Sequence, residues 1–119
     1  MQWILDKKRP ICPQICEQIC VRIAQGTFLP GEKLLSVREV AVDAGVNPNT
    51  VQHSFEQLEQ QGILYSVRGS GWFVSEDISA AKLTLEQLIR EKTKDYFAAM
   101  ASLGLDCRQT KNYVKEWQL

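Results

Sequence analysis

The sequence predicts a mainly α-helical fold with one small β-hairpin, and three observations carry that prediction. Apolar residues recur at helical spacing in several separate stretches, start and stop signals bracket those stretches, and one pair of β-rich runs flanks a glycine-rich turn. The 119 residues, 45% apolar and 24% charged, suffice for one modest core and exclude both a multidomain machine and a disordered tail.

Ile11, Ile15, Ile19 and Ile23 recur every four residues, which keeps them on one helical face until Gly26 can end the helix. Pro13 is tolerated because the first turn leaves its N–H groups without intrahelical partners. Thr27-Phe28-Leu29-Pro30-Gly31 reads as a turn. Ser36-Val37-Arg38-Glu39 is a capping box that opens a second helix through Ala44, stopped by Gly45. Val46 is an apolar peg. Asn47-Pro48 supplies an N-cap and a proline at the first helical position, so a third helix runs from Pro48 to about Gln61 and closes at Gly62.

Two helices joined by a tight glycine-containing turn make a helix-turn-helix, whose second helix can enter the major groove of DNA with its first turn at the base edges. Phasing the third helix turns Val51, Phe55 and Leu58 inward and leaves Asn49, Thr50, Gln52, His53 and Glu56 for solvent or DNA. Ile63-Leu64-Tyr65-Ser66-Val67 and Trp72-Phe73-Val74 form a hairpin around Arg68-Gly69-Ser70-Gly71. Three helices and a hairpin make a winged helix-turn-helix.

Beyond Ser75-Glu76-Asp77-Ile78-Ser79, a short polar junction, the composition changes: Leu83 to Leu119 holds Gly104 but no proline. Leu85, Leu88, Ile89, Tyr96, Met100 and Leu103 keep a 3-and-4 spacing, with Thr84-Leu85-Glu86-Gln87 as the start signal and Gly104 as the stop. Asp106-Cys107-Arg108-Gln109 starts a final short helix outlined by Cys107, Tyr113, Val114 and Trp117. The reading is therefore a winged helix-turn-helix DNA-binding domain over residues 1–76 and a helical dimerisation segment over 77–119. Two amphipathic helices cannot fill a core alone, and a second copy of the chain is the simplest cover for Leu85, Leu88, Ile89, Tyr96, Met100, Leu103, Tyr113 and Trp117. On this reading a chain cut after Ser75 folds as a monomer and loses most operator binding.

The runs Pro10-Ile11, Gln14-Ile15, Pro30-Gly31-Glu32-Lys33-Leu34 and Ser36-Val37-Arg38-Glu39-Val40-Ala41 together resemble the GntR family of bacterial transcription regulators. The likeness continues through Gly45-Val46-Asn47-Pro48-Asn49-Thr50-Val51, Leu58-Glu59-Gln60-Gln61-Gly62 and Gly69-Ser70-Gly71-Trp72-Phe73-Val74, and the short two-helix tail is most similar to the small YtrA-type branch. The resemblance implies a homodimer on a roughly palindromic operator, usually a repressor and often of a transporter operon. It carries DNA contacts onto Arg38, Thr50 and Gly69. Pro48 and Gln52 stand where many relatives have arginines, and Trp72 where they have threonine, so a typical family operator is not implied.

Each candidate has a plainer alternative. Arg38 carries a planar fork suited to a phosphate or a guanine edge, or is simply solvated on a short helix. Ser36 and Arg38 on the second helix, Asn49, Thr50, Gln52 and His53 on the third, and Arg68, Gly69 and Ser70 at the wing are the DNA-binding candidates. Asn49 either reads a base or supports the cap begun by Asn47. Arg68 beside glycines can reach a minor groove or sit at an ordinary hairpin tip. His53, the one histidine, is a polar-face residue rather than a zinc ligand. Lys7-Lys8-Arg9 faces solvent or touches phosphate.

Fourteen basic residues balance fourteen acidic ones, so no net field announces a nucleic-acid partner. The balance leaves open a winged-helix module that docks on protein, distinguishable by the salt dependence of DNA binding. Cys12, Cys16 and Cys20 invite a metal or redox reading with Cys107, a thiol-responsive version of the same regulator. However, Cys12 and Cys20 lie about 12 Å apart along a helix and cannot share one zinc ion, so core packing is the plainer reading. Tyr96, Met100, Tyr113 and Trp117 line either a dimer interface or a small-molecule effector pocket. Neither paired carboxylates, a phosphate-cradling loop nor an activated nucleophile is visible, so no catalysis, cofactor or metal is expected. Charge follows closely on the first apolar residues and no window approaches the about 20 apolar residues of a membrane span. A cytoplasmic, non-membrane protein is expected.

Overall fold

A computed structural model describes residues 2–118; Met1 and Leu119, the outer limits of the two predicted domains, lie outside the described residues. Within them the order is α1 (Ile11–Ala24), α2 (Val37–Ala44), α3 (Pro48–Gln60), β1 (Leu64–Val67), β2 (Gly71–Val74), α4 (Ser79–Ser102) and α5 (Cys107–Glu116). This is the mainly helical winged fold that the sequence predicts. It divides into two compact units between Leu85 and Glu86.

In the first unit, the isoleucine stripe does what its spacing requires. Ile15, Ile19 and Ile23 are buried, and Ile11 in the first turn is half-buried. They meet Val40 and Ala41 of α2 and Val51, Phe55 and Leu58 of α3, which are all buried. α1 and α2 both pack on α3. The caps that the sequence signals are formed: Ser36 Oγ accepts the Glu39 N–H at 3.1 Å, and Glu39 Oε1 accepts the Ser36 N–H at 3.2 Å. Gly45 ends α2 in the left-handed region at φ 68°, where a side chain would be strained. Asn47 Oδ1 accepts the Asn49 N–H at 2.8 Å to start α3.

β1 and β2 pair antiparallel, Leu64 opposite Val74 and Val67 opposite Gly71. Trp72 meets Phe55 edge-on, with ring centroids 5.5 Å apart, fixing the hairpin to α3. A third segment, Glu32 to Leu34, to which the sequence reading assigns no element, joins them. Lys33 pairs with Phe73, the Leu34 N–H donates to the Trp72 carbonyl at 2.8 Å, and the Val74 N–H donates to the Glu32 carbonyl at 2.9 Å.

Ahead of α1, an extended arm runs along that helix. Gln18 Nε2 donates to the Ile4 carbonyl at 2.6 Å, Gln18 Oε1 accepts the Ile4 N–H at 3.2 Å, and Arg22 donates to the Gln2 carbonyl. The Arg22 guanidinium also lies 4.1 Å from the centre of the Trp3 ring.

One sequence expectation is corrected. α4 starts at Ser79, not at Thr84. Asp77 Oδ1 accepts the Ser79 N–H at 2.9 Å, Ala81 is buried, and Ile78 and Ala80 pack against the core, so burial draws the helix start back by more than a turn. Thr84 is then inside the helix, its hydroxyl donating to the Ala80 carbonyl at 3.0 Å.

In the second unit, the later part of α4 is followed by α5. Asp106 and Gln109 form the second capping box, with bonds of 2.8 and 2.9 Å. Thr110 is fully buried, its hydroxyl donating to the Asp106 carbonyl at 2.9 Å. Tyr113 and Trp117, one helical turn apart, stack with centroids 6.0 Å apart.

Candidate nucleic-acid interface

Arg38 stands exposed on α2, within the capping box between Ser36 and Glu39, and forms no hydrogen bond or ion pair with another described residue. Its five donors are therefore unspent. Ser36, also exposed, is occupied as the cap, so its hydroxyl oxygen is already an acceptor for Glu39. A shallow hollow beside them is lined by Ser36, Arg38, Glu39, Val42 and Asp43.

α3 presents its polar residues as the helical phase requires. Asn49 and His53 are exposed, while Thr50 and Gln52 are half-buried. The first turn of α3 has its amides spent: Pro48 carries no N–H, the Asn49 N–H donates to Asn47 Oδ1 at 2.8 Å and the Thr50 N–H to the Asn47 carbonyl at 3.0 Å, so contact with DNA falls to the side chains. Gln52, however, is already engaged: its Nε2 donates to Glu56 Oε1 at 3.0 Å. Reading a base through Gln52 requires that bond to be exchanged. Ser54, buried on the opposite face, places its hydroxyl 3.0 Å from the Thr50 carbonyl and 3.2 Å from the Cys12 carbonyl, tying α3 to α1.

Arg68, Gly69 and Ser70 form the exposed tip between the strands, closed by the Ser70 N–H donating to the Val67 carbonyl at 2.9 Å. The wing is held to α3 by Glu59, whose Oε2 accepts from both the N–H and the hydroxyl of Ser66, at 3.1 and 2.7 Å. Lys33 lies beside the wing through its pairing with Phe73. Sequence reasoning missed it as a cation at this place, because its partner is forty residues away.

The candidates thus stand on α2, α3 and the wing, and α3 joins them, packing against both α2 and β1. Among the described residues no hydrogen bond links a candidate on one of these elements to one on another. Among them, too, no three His, Cys, Asp or Glu side chains are grouped to hold a metal. No described helix is long and apolar enough to cross a membrane.

In the second unit, Tyr96, Phe97, Met100, Tyr113, Val114 and Trp117 line an apolar cleft of about 1290 Å³. Leu103 lines it too, 77% exposed, as large an apolar exposure as any here. Leu85, Leu88 and Ile89, earlier on α4, do not line it; Ile89 is exposed and the two leucines are half-buried.

The family model described as "Bacterial regulatory proteins, gntR family" matches residues 13–74. The chain is 39% identical over 110 residues to the HTH-type transcriptional regulator YhcF of Bacillus subtilis, spanning 92% of this chain and 91% of that protein. It is 35% identical over 111 residues to the HTH-type transcriptional repressor YtrA of the same organism, spanning 90% and 83% of the two. Among solved structures, a GntR family transcriptional regulator from Listeria monocytogenes superposes with a TM-score of 0.82 at 34% identity, covering 96% of this chain and all of that one. The DNA-binding domain of AraR in complex with operator ORE1 superposes at 0.55 and 35% identity, covering 63% of this chain and 94% of that one.

Proposed function

Because this chain belongs to the gntR family of bacterial regulatory proteins, we propose that it acts as a homodimeric repressor on a roughly palindromic operator. It is a DNA-binding transcriptional regulator and not an enzyme. In our reading, the first turn of α3 enters the major groove, Arg38 and the α2 terminus meet phosphate or guanine, and Arg68, Gly69 and Ser70 approach the minor groove. Asn49, Thr50, Gln52 and His53 are the side chains offered to base edges. A cytoplasmic protein and a transporter operon as target follow from the family resemblance.

The observation that carries the dimer is the apolar cleft of about 1290 Å³ in the second unit. Tyr113 and Trp117 are more than half exposed there, and aromatic side chains of that kind are enriched at interface cores. A small-molecule pocket is typically about 300–1,000 Å³, so the cleft is larger than an effector alone requires and a second copy of the chain fits better. Dimerisation has an energetic purpose. With no lysine or arginine on α3, one subunit neutralises few phosphates, and joining two half-site contacts raises the effective concentration of the second.

Leu103→Asp with Tyr113→Asp places two charges in the cleft at residues exposed in the single chain. Sedimentation of the unaltered chain should give a dimer and that of the variant a monomer, with operator affinity at least tenfold weaker by gel shift. A monomeric unaltered chain that binds a two-half-site duplex no better than a single half-site would remove the proposal. The protein-docking alternative yields to the family membership.

A further inference from the structure

α1 brings two thiols to one point. Cys12 and Cys16 are four residues apart, so their side chains leave the helix on the same face with Cβ atoms about 5–6 Å apart. Both then converge on a single acceptor outside that helix: each Sγ lies 3.5 Å from Gln57 Oε1 on α3. Cys16 Sγ also lies 3.4 Å from the Ser54 carbonyl on α3. Both thiols are half-exposed, so a solute can reach them, whereas Cys20 is buried in the core and Cys107 lies on α5.

We propose that Cys12 and Cys16 form a two-coordinate site for a soft monovalent cation of the copper(I) class. Thiolates select such ions over hard cations. Zinc is the wrong occupant, because it needs four donors and no group of three or more candidate ligands exists among the described residues. A sulfur–metal–sulfur bridge with bonds of about 2.3 Å holds its sulfurs at most about 4.6 Å apart, a separation that side-chain rotation on neighbouring turns can supply. A disulfide demands Cβ atoms about 3.8 Å apart, so joining the same two residues directly would distort the helix.

The step balances without redox change. Two thiols and one copper(I) ion give an anionic bis-thiolate complex of charge minus one and release two protons to water. Gln57 serves both states. Its Oε1 accepts from S–H groups in the empty site, and a half-turn of the amide presents Nε2–H donors to thiolates in the filled one.

Anaerobic native mass spectrometry of the reduced full chain, titrated with copper(I) against a competing chelator, should show one ion per chain. Cys12→Ser and Cys16→Ser should each weaken uptake at least tenfold, and Cys107→Ser should leave it unchanged. In the unaltered chain, one equivalent of silver(I) should shield Cys12 and Cys16 together from maleimide while Cys107 is labelled, read by peptide mapping. Absence of uptake, uptake retained in Cys12→Ser, loss in Cys107→Ser, or silver(I) shielding only Cys107 would each overturn the proposal.

Discussion

Gln14 grips the main chain of Asp6 from both sides: its Oε1 accepts the Asp6 N–H at 2.8 Å and its Nε2 donates to the Asp6 carbonyl at 2.8 Å. Gln18 does the same to Ile4, and Arg22 reaches Gln2. Four helical residues rise about 6.0 Å and two extended residues about 6.6 Å, so side chains on successive turns of α1 meet alternate residues of the arm. The side-chain amides stand in for a neighbouring strand.

Replacing Gln14 with leucine should destabilise the protein, because its Nε2 also donates to the Pro10 and Arg9 carbonyls at 2.9 and 3.3 Å and all four bonds are lost. Gln14 is buried at 6% exposure, and the variant takes the acceptor from the Asp6 N–H, while the Asp6 carbonyl keeps the Arg9 N–H at 3.1 Å; the cost should be about 1–3 kcal/mol. Urea unfolding should show the loss, and hydrogen exchange at Ile4 and Asp6 should accelerate together. Slow exchange at both amides in the variant would mean that the arm is held by something else.

Arg38→Ala should weaken operator binding by about 1–3 kcal/mol, with little change in folding stability because the side chain is exposed and unpaired. If Arg38 meets phosphate, the slope of log affinity against log salt shrinks by about 1; if it meets guanine, the slope holds and discrimination at one base pair falls. Fluorescence anisotropy across a salt series separates the two. An unchanged affinity would take Arg38 out of the interface.

Glu59→Ala removes both acceptor bonds to Ser66. Glu59 is exposed, so global stability should change by less than about 1 kcal/mol. The local effect should be larger, with faster amide exchange at Ser66 and weaker operator binding as the wing loses its tether. Rescue by Glu59→Gln, which keeps one acceptor oxygen, should be partial.

Thiol chemistry should rank by burial. Burial raises the Cys20 thiol to about 11 and, with Cys12 beside it, the Cys16 thiol to about 12. A raised thiol carries little thiolate at neutral pH, so iodoacetamide should label exposed Cys107 well before Cys16 or Cys20. The rates at Cys16 and Cys20 should still be climbing at pH 10. Equal labelling of all four at pH 7 would contradict the packing described above.

A chain cut after Ser75 should not fold as the sequence alone suggests. Ile78, Ala80 and Ala81 contribute to the first unit's core, and Ala81 is only 1% exposed. Far-UV circular dichroism should show a loss of cooperative melting for that truncation. A sharp, unshifted melt would place the essential core wholly before α4.

The contrast between elements explains which of them were legible from sequence. α2 and α3 were readable because Ser36 with Glu39, Asn47 with Pro48, and Gly45 are local signals whose partners lie within a few residues. The start of α4 misled because Thr84 also heads a plausible capping box, while the deciding force was burial of Ala81 against distant residues. The strand-like pairing of Glu32 to Leu34 with β2 left no alternation to detect in so short a segment. At the interface, the helical phase gave the exposure of Asn49 and His53, but a Gln52 amide spent on Glu56 is a choice of rotamer that spacing does not encode.

α3 carries two glutamates and neither lysine nor arginine. Cations on a groove-entering helix are what hold a regulator to arbitrary chromosomal sequence, where competing sites outnumber the target by about a million or more. On the proposed reading, with α3 in the groove, a helix of this composition parks few molecules on that background, and occupancy at the operator then tracks the number of copies in the cell closely, so a modest expression level should suffice for control.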